Sequence, residues 1–418
     1  MKRAHIQHIQ LSMEEKFNFK SIQRETTKEY SRYESYSDNK EFIKFGEDNA
    51  FPDHLIDLVN NSSVHNTCVN AIVEGIVGDG LTSNVESALE MANTEGESWN
   101  KIFKKVARDY KLFGGFALEV VWSNDGTTPV EVYHIDFSYL RAAKMNHRRV
   151  VEGYYLSDEW IARDREGRIR GYNQLNLEDA AYLPVYNPLK SNEEKNQVIY
   201  HQPYAPGQKY YPLPDYVGAL KVIDLDKEVD SFHNNNIKNG LAPSLAITTF
   251  TGANDEERRA IEGMLTAQYG GSENAGSMIY IDVDDPANTP QITPIPQNGA
   301  DGYYSTVNDM VTQKILTAHR ITSPMLLGIK TEGQLGGRSE MIDAYLLLVN
   351  TVIKPYQQDI LSVFEMILDL QYGSELTIGV QQLKLYNDGE EEVDVVTSQE
   401  ATAGEDTELE DNIETAEE

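Results

Sequence analysis

Cysteine and long apolar runs are almost missing from this 418-residue sequence. Cys68 is the only cysteine, which excludes a disulfide framework and gives no reason to expect secretion. The densest apolar run, 345–349, is far shorter than the roughly 18 residues of a membrane span. The first ten residues are charged without an apolar stretch, so we expect no signal peptide. The sequence predicts a soluble, cytosolic type of protein without membrane contact.

Positive charge is also scarce. The chain has 36 Lys and Arg against 67 Asp and Glu, a net charge of -31. Residues 388–418 contain 14 acidic residues and no Lys or Arg, so we predict that 387–418 is a disordered acidic tail. The rest of the chain still has an acidic excess of roughly 17 charges. A conventional DNA-binding protein has the opposite sign.

Motifs for catalysis, nucleotides and metals are absent from the sequence. It contains no Walker A loop, no G-x-S-x-G and no H-E-x-x-H, and the Gly-rich stretch 333–337 follows a predicted loop rather than a strand. His65 and Cys68 form an isolated H-x-x-C, which is more often core packing than a metal site. Because carboxylates are abundant everywhere, their proximity identifies no acid/base pair. We predict no enzyme, no cofactor and no metal site.

The first half of the chain predicts a flexible polar arm, 1–39, followed by an α+β domain, 40–213. Ser62 is the expected N-cap of a helix that ends at Val77, and Gly78 and Gly80 supply the turn. Apolar residues at helical spacing predict a helix over 97–113, ended by Gly114. The pattern then changes to a period of two. It predicts strands at 116–122, 130–135, 139–144 and 150–156.

The second half predicts two long helices around a small α/β unit. The helix 215–239 has about 25 residues and a length near 37 Å. The unit that follows has predicted strands 245–251, 278–283 and 291–295 and a helix 255–269. A second long helix, 301–321, leads into a Gly-rich loop and a third helix, 338–370, nearly 50 Å long. Pro355 removes a backbone hydrogen bond there, so we expect a kink or break near 351–354.

Several short segments together resemble the portal proteins of tailed bacteriophages. The order and spacing of the segments carry the resemblance, which spans about 42–386. Little sequence remains after Leu370, so the helical crown of larger portals is expected to be minimal or absent. The segments are Phe51-Pro, Ile76-Val-Gly-Asp-Gly80, Leu213-Pro-Asp-Tyr216, Ala318-His-Arg-Ile-Thr-Ser-Pro324-Met-Leu-Leu-Gly328 and Val352-Ile-Lys-Pro355-Tyr-Gln.

The resemblance implies an α+β portal fold and a role for each part. Such proteins form a ring, usually of twelve subunits, at one capsid vertex, through which double-stranded DNA is packaged and ejected. The clip would dock the terminase motor and later the head–tail connector, while the wing packs against the major capsid protein. The expected location is the virion, with assembly in the host cytoplasm. The implied parts are a wing (40–213), stem helices (214–240 and 301–321), a clip (241–300), a tunnel loop (322–338) and a kinked wing helix with closing strands (339–386).

The resemblance also implies which residues act. Pro355 is the predicted helix kink. Lys330 and Arg338 are the basic residues of the loop, and they either touch phosphates briefly or pair with an acidic neighbour. DNA must slide in both directions, so a wall that gripped phosphates would hold it, whereas an acidic wall would not. The predicted DNA-channel residues are Lys330, Glu332, Gln334, Gly336, Gly337 and Arg338, and the predicted docking residues of the clip are Asp255, Glu256, Arg258, Arg259 and Glu262.

Two other classes of function remain open from the sequence. A structural adaptor or scaffold that never meets DNA would have a similar composition, but its particles would lack a central channel. A cytosolic enzyme would use the α+β domain near 100–200 and would need a concave site with converging polar groups. Images of the purified particle separate the first alternative from a portal, and a ligand screen addresses the second.

Overall fold

A computed structural model of the chain describes residues 34–36, 41–163, 165, 169–172, 180–239, 245–249, 278–282, 300–329, 338–383 and 396–397. Its helices are α1 (Phe51–Asn61), α2 (Ser63–Val77), α3 (Trp99–Phe113), α4 (Leu220–Asn239), α5 (Ala300–Ala318), α6 (Arg338–Leu348) and α7 (Lys354–Tyr372). Its strands are β1 (Ser35–Tyr36), β2 (Ile43–Lys44), β3 (Gly80–Ser83), β4 (Phe116–Trp122), β5 (Pro129–Ile135), β6 (Leu140–Ala142), β7 (Gly153–Leu156), β8 (Ile161–Arg163), β9 (Ile169–Tyr172), β10 (Ala181–Pro184), β11 (Asn196–His201), β12 (Leu245–Thr249), β13 (Met278–Asp282), β14 (Ile378–Gln381) and β15 (Val396–Thr397).

Helix α3 lies at the centre of the body. Its apolar side is fully buried because the residues recur every three or four positions, and it contacts α1, α2, α7 and the strand β4. The predicted N-cap of α2 is confirmed, since the Ser62 hydroxyl accepts a hydrogen bond of 3.2 Å from the His65 amide. The buried residues of α3 that form this side are Trp99, Ile102, Phe103, Val106 and Tyr110.

Three small antiparallel sheets pack around these helices. The first has the order β11–β4–β5, with β4 in the middle; its residue Leu118 pairs with Ile199 on one side and His134 on the other. The second has the order β10–β7–β6, and the third has the order β15–β14–β3. A bridge between Val185 and Val198 joins the first two sheets. Because β14 follows α7 and pairs with β3, the segment after α7 returns to the body.

Helices α4 and α5 pack against each other as an antiparallel pair. Each has a buried half next to the body and an exposed half beyond it. In α4 the half with buried residues extends to about residue 227, and the described side chains of 228–234 are mostly exposed. In α5 residues 306–310 are mostly exposed, and the stretch 311–319 has one buried side, formed by Val311, Ile315, Leu316 and His319. The twelve residues of α4 beyond Lys227 extend the pair by roughly 18 Å at 1.5 Å per residue.

The third long helix is continuous but changes its hydrogen-bond pattern. A π-helical turn, Val349–Ile353, lies between α6 and α7, and Pro355 is the second residue of α7. The turn is tightly packed, since Val352 and Ile353 are fully buried. Ile353 lies where a side chain on Gly75 of α2 would be, so this glycine lets the two helices approach. The Gln357 side chain then donates to the carbonyl of Ile76 over 2.9 Å.

The prediction of an α+β chain is confirmed, and strand β4 has the predicted bounds. Strands β10 and β11 were not predicted. Residues 35–36 were predicted to be arm and 396–397 to be tail, yet β1 pairs with β2 and β15 pairs with β14. The predicted helix 255–269 and the predicted strand 291–295 lie outside the described residues. No helix in the described part of the chain is long and apolar enough to cross a membrane.

Candidate functional site: the polar junction of the long helices

A buried ion pair lies just before the start of α4. The Lys111 ammonium, at the end of α3, is 2.7 and 2.9 Å from the two carboxylate oxygens of Asp215. The lysine side chain is 0% exposed and the aspartate 22%. Burial lowers the pKa of Lys111, while the facing Asp215 carboxylate raises it. A buried ammonium needs such a partner, so this pair fixes the start of α4 against α3.

Two tyrosines enclose this ion pair. The Lys111 nitrogen lies 5.7 Å from the ring centres of both Tyr216 and Tyr356, within the range of a cation–π contact. The Tyr216 hydroxyl donates to the carbonyl of Leu112 over 2.7 Å. Burial first, and the Asp215 charge second, raise the pKa of both tyrosines. Both hydroxyls therefore stay neutral hydrogen-bond donors.

A pair of buried histidines joins α2 to the end of α5. His65 Nδ1 and His319 Nε2 are 2.9 Å apart, and the Tyr216 ring packs against both imidazoles, with centroid distances of 4.6 and 5.1 Å. Burial, followed by the charge of Lys111, lowers the pKa of His65 to about 3. The same two causes and His65 itself lower the pKa of His319. Both rings are therefore neutral at pH 7, and one N–H donates to the other ring.

Two further polar contacts attach the buried half of α4. The Ser62 hydroxyl, which caps α2, donates to Asp226 over 2.7 Å, and Lys227 lies 2.6 Å from Asp57 of α1. Burial raises the pKa of Asp226, whereas the Ser62 hydrogen bond lowers it. Asp226 and Lys227 lie about two turns into α4, so the helix is attached to the body along its first two turns.

Gly114 makes the close approach of these elements possible. It ends α3 with a φ of +82°, and its amide donates to the Tyr110 carbonyl over 2.9 Å. A side chain at this position would overlap the backbone of Leu213 and Pro214. The segment that leads into α4 can therefore pass directly over the end of α3, next to Lys111.

The junction is suited to attachment rather than to chemistry. Its polar groups bond to one another across α2, α3, α7 and the two long helices. Among the described residues, no three His, Cys, Asp or Glu side chains are placed to hold a metal ion. His65 and Cys68 are both fully buried in the core, in line with the packing interpretation of their motif.

Most of the residues predicted from the resemblance lie elsewhere in the chain. Pro355 lies two residues after the π-helical turn, next to the junction residue Tyr356. Arg338 begins α6, and only its backbone is described. The loop residues Lys330, Glu332, Gln334, Gly336 and Gly337 lie outside the described residues, as do the clip residues Asp255, Glu256, Arg258, Arg259 and Glu262.

The junction itself was not predicted. Lys111 and Asp215 are 104 positions apart, and His65 and His319 are 254 apart, so no local spacing connects them. One signal was present, because Lys111 follows Tyr110 on the buried side of an amphipathic helix. A lysine at such a position needs a buried partner.

Comparisons with protein-family models and with curated proteins found no significant match. Solved structures do show similarity. One is a chain of the virion of a native gene transfer agent particle, with 15% identity, a TM-score of 0.47 and coverage of 80% of this chain and 84% of that one. Another is a chain of the neck of a native gene transfer agent particle computed with C12 symmetry, with 14% identity, a TM-score of 0.48 and coverage of 86% and 88%.

A third similar structure is an HK97-family phage portal protein from Corynebacterium diphtheriae, with 12% identity and a TM-score of 0.38. The match covers 77% of this chain and 93% of that one. Portal proteins of phages are the family that the sequence resembles. Because all three TM-scores are below 0.5, we derive the function from the residues of this chain.

Proposed function

We propose that this chain is a portal-type subunit that assembles into a ring with a channel for double-stranded DNA. The observation that carries the proposal is the helix pair α4–α5, which is anchored in the body by buried charges and exposed beyond it. The strands β12 and β13 lie in the segment that connects the two helices. They pair in parallel from Leu245–Met278 to Thr249–Asp282. This is the order of parts expected of a stem and a clip.

Helix α6 supports self-association. Its apolar residues lie on all sides, a pattern typical of a buried helix, yet Leu346 and Leu347 are each 49% exposed. Ile329, just before the loop residues 330–337, is 46% exposed. Exposed apolar side chains of this kind are typical of interfaces. In the proposed ring, a neighbouring subunit covers this surface.

The exposed half of the helix pair supports a channel that does not grip DNA. Within 228–234 and 306–310 the acidic residues are Glu228, Asp230 and Asp309 and there is no Lys or Arg, whereas Lys238 lies closer to the end of α4. Phosphate binding by basic residues releases counterions and strengthens with each contact. A ring that repeats the acidic residues around a bore would repel the duplex from its wall. The finer parts of the proposal are DNA packaging and ejection, docking of a terminase motor and then of a head–tail connector, and contact with the capsid.

The ring is tested with an interface variant and a matched control. We expect Leu346→Asp/Leu347→Asp to remain folded and to stay monomeric in native mass spectrometry, because two charges replace the covered apolar surface. Leu189→Asp is the control, since Leu189 is 95% exposed on the body, and it should assemble normally. Assembly of the double variant, or equal loss of assembly in the control, would contradict this interface.

The non-gripping channel is tested with the two basic residues of the predicted loop. We expect rings of Lys330→Ala/Arg338→Ala to package DNA at a rate close to that of the unmodified protein. Ring formation and motor docking are measured in parallel. Complete loss of packaging with rings and docking intact would show that phosphate gripping is essential.

A further inference from the structure

Arg320 has a backbone conformation that usually requires glycine. Its φ is +57°, and it directly follows the last turn of α5. The Arg320 amide donates to Thr317 and the Ile321 amide donates to Leu316, both over 3.0 Å. This pair of bonds defines a Schellman motif, in which the left-handed position is most often glycine. An arginine here suggests that its side chain compensates for the strain.

The guanidinium of Arg320 connects three segments. One nitrogen lies 3.3 Å from the Asp215 carboxylate, at the entry of α4. Another donates to the carbonyl of Thr351, in the π-helical turn, over 3.4 Å. Arg320 follows α5 by two residues, and Thr351 follows α6. The arginine therefore ties the end of α5 to the π-helical turn and to the junction.

Pro355 explains why the Thr351 carbonyl is available. In a regular α-helix this carbonyl would accept the amide hydrogen of residue 355, which proline lacks, and the proline ring would crowd it. The helix instead widens into the π-helical turn, where the Lys354 amide donates to Val349. The Thr351 hydroxyl donates to the Leu347 carbonyl over 2.7 Å. The Thr351 carbonyl, which has no amide hydrogen from residue 355, accepts from the Arg320 guanidinium.

We infer that Arg320 is a positioning residue, whose guanidinium replaces the hydrogen bond lost at Pro355 and fixes the π-helical turn to the base of the long helices. The inference does not depend on the proposed function. An ordinary exposed ion pair is the alternative, because the Arg320 side chain is 51% exposed and such pairs contribute little. The effect of removing the Arg320 side chain depends on Pro355 only if Arg320 is a positioning residue, and not if it forms an ordinary ion pair.

The test is a double-mutant cycle of Arg320→Gly and Pro355→Ala, read by hydrogen exchange of the amides in α6 and the π-helical turn. Glycine keeps the left-handed backbone and removes the whole side chain with its guanidinium. We expect Arg320→Gly to speed exchange in 339–353 by about tenfold, as expected for the loss of a hydrogen bond from a charged donor. The amides of α3 should be unchanged. In the Pro355→Ala background, the new amide satisfies Thr351, so Arg320→Gly should have no further effect.

Equal acceleration in both backgrounds, or none in either, would overturn the inference. Arg320→Lys is a second variant that retains a charge for Asp215. One ammonium group does not span both acceptors, so exchange in 339–353 should still accelerate; unchanged exchange in this variant would also overturn the inference. The experiment uses the full chain and needs neither ring nor DNA. If the effect of Arg320→Gly depends on Pro355 but the protein forms no ring, the proposed function is contradicted and the inference stands.

Discussion

The buried pair of Lys111 and Asp215 gives an asymmetric prediction. Asp215→Asn leaves an ammonium with no exposed surface and without its counter-charge, since only the aromatic rings at 5.7 Å remain. Breaking a buried pair in this way costs about 3–5 kcal/mol. Lys111→Met keeps the volume and removes the buried charge, and the remaining carboxylate is 22% exposed and contacts Arg320. We expect Lys111→Met to cost only about 1 kcal/mol, as is typical of volume-conserving changes.

The double variant Lys111→Met/Asp215→Asn separates this explanation from simple loss of contacts. With both charges removed, nothing buried is left unpaired, so stability should lie within about 2 kcal/mol of the unmodified protein. The coupling energy in the cycle should then be about 2–4 kcal/mol. Urea unfolding followed by tryptophan fluorescence measures it, because Trp99 is fully buried in the same core. Equal costs for the two single variants, or a double variant as unstable as their sum, would refute the reasoning.

The cost of Asp215→Asn should also depend on pH in one direction. Burial lowers the pKa of Lys111 in the folded chain, and removal of Asp215 takes away the charge that opposes this shift. The unfolded chain holds the lysine proton up to about pH 10.4. Between the two pKa values the folded state has lost the proton and the unfolded state has not, so stability rises with pH. We expect the variant to recover part of its loss at pH 9.5; a loss independent of pH would contradict this.

The histidine pair predicts acid sensitivity. Because both pKa values are lowered in the folded chain, the unfolded chain takes up protons first when the pH falls. The free energy of unfolding should therefore decrease from its value at pH 7.5 once the pH drops below 6.5, by about 1.4 kcal/mol per histidine at pH 5.5. Measured by urea unfolding, His319→Gln should remove about half of this decrease, and the control His147→Gln, at an exposed position, should remove none of it. An equal decrease of stability in the two variants would contradict the prediction. Gly114→Ala should lower the melting temperature much more than Gly96→Ala. Both glycines have positive φ, but only at Gly114 would the new side chain overlap a neighbouring backbone, adding about 1–3 kcal/mol of overpacking. Similar shifts in the two variants would show that the overlap does not matter.

The local parts of the fold were predictable because their causes are local. Ser62 as an N-cap, Gly114 as the end of α3 and the alternating strand 116–122 all depend on neighbours within a few residues. Pro355 correctly drew attention to the third long helix. The predicted break near 351–354 is absent, because the helical path continues through a π-helical turn at Val349–Ile353, and the kink stays a prediction. The outcome depends on the surrounding core, which holds Val352 and Ile353 in place.

The junction was not predictable because its contacts join distant parts of the chain. Asp215 was expected to begin the first long helix. The α-helix begins only at Leu220, after a 3-10 turn at Val217–Ala219, and Asp215 instead turns toward Lys111. Likewise, the second long helix was expected to reach Ile321 but ends at Ala318. The left-handed position after this helix is occupied by Arg320 instead of the usual glycine, so the sequence alone did not indicate where the helix ends.

The central claim, that the chain forms a ring around a DNA channel, is tested most directly by electron microscopy of the purified protein. The account predicts rings with an open central bore, and twelve chains of 47.2 kDa would give a particle of about 570 kDa if the number is the usual one of the family it resembles. End-on views should show the bore, and side views should show the helix pairs projecting from the body. Monomers at high concentration, or closed particles without a bore, would contradict the account.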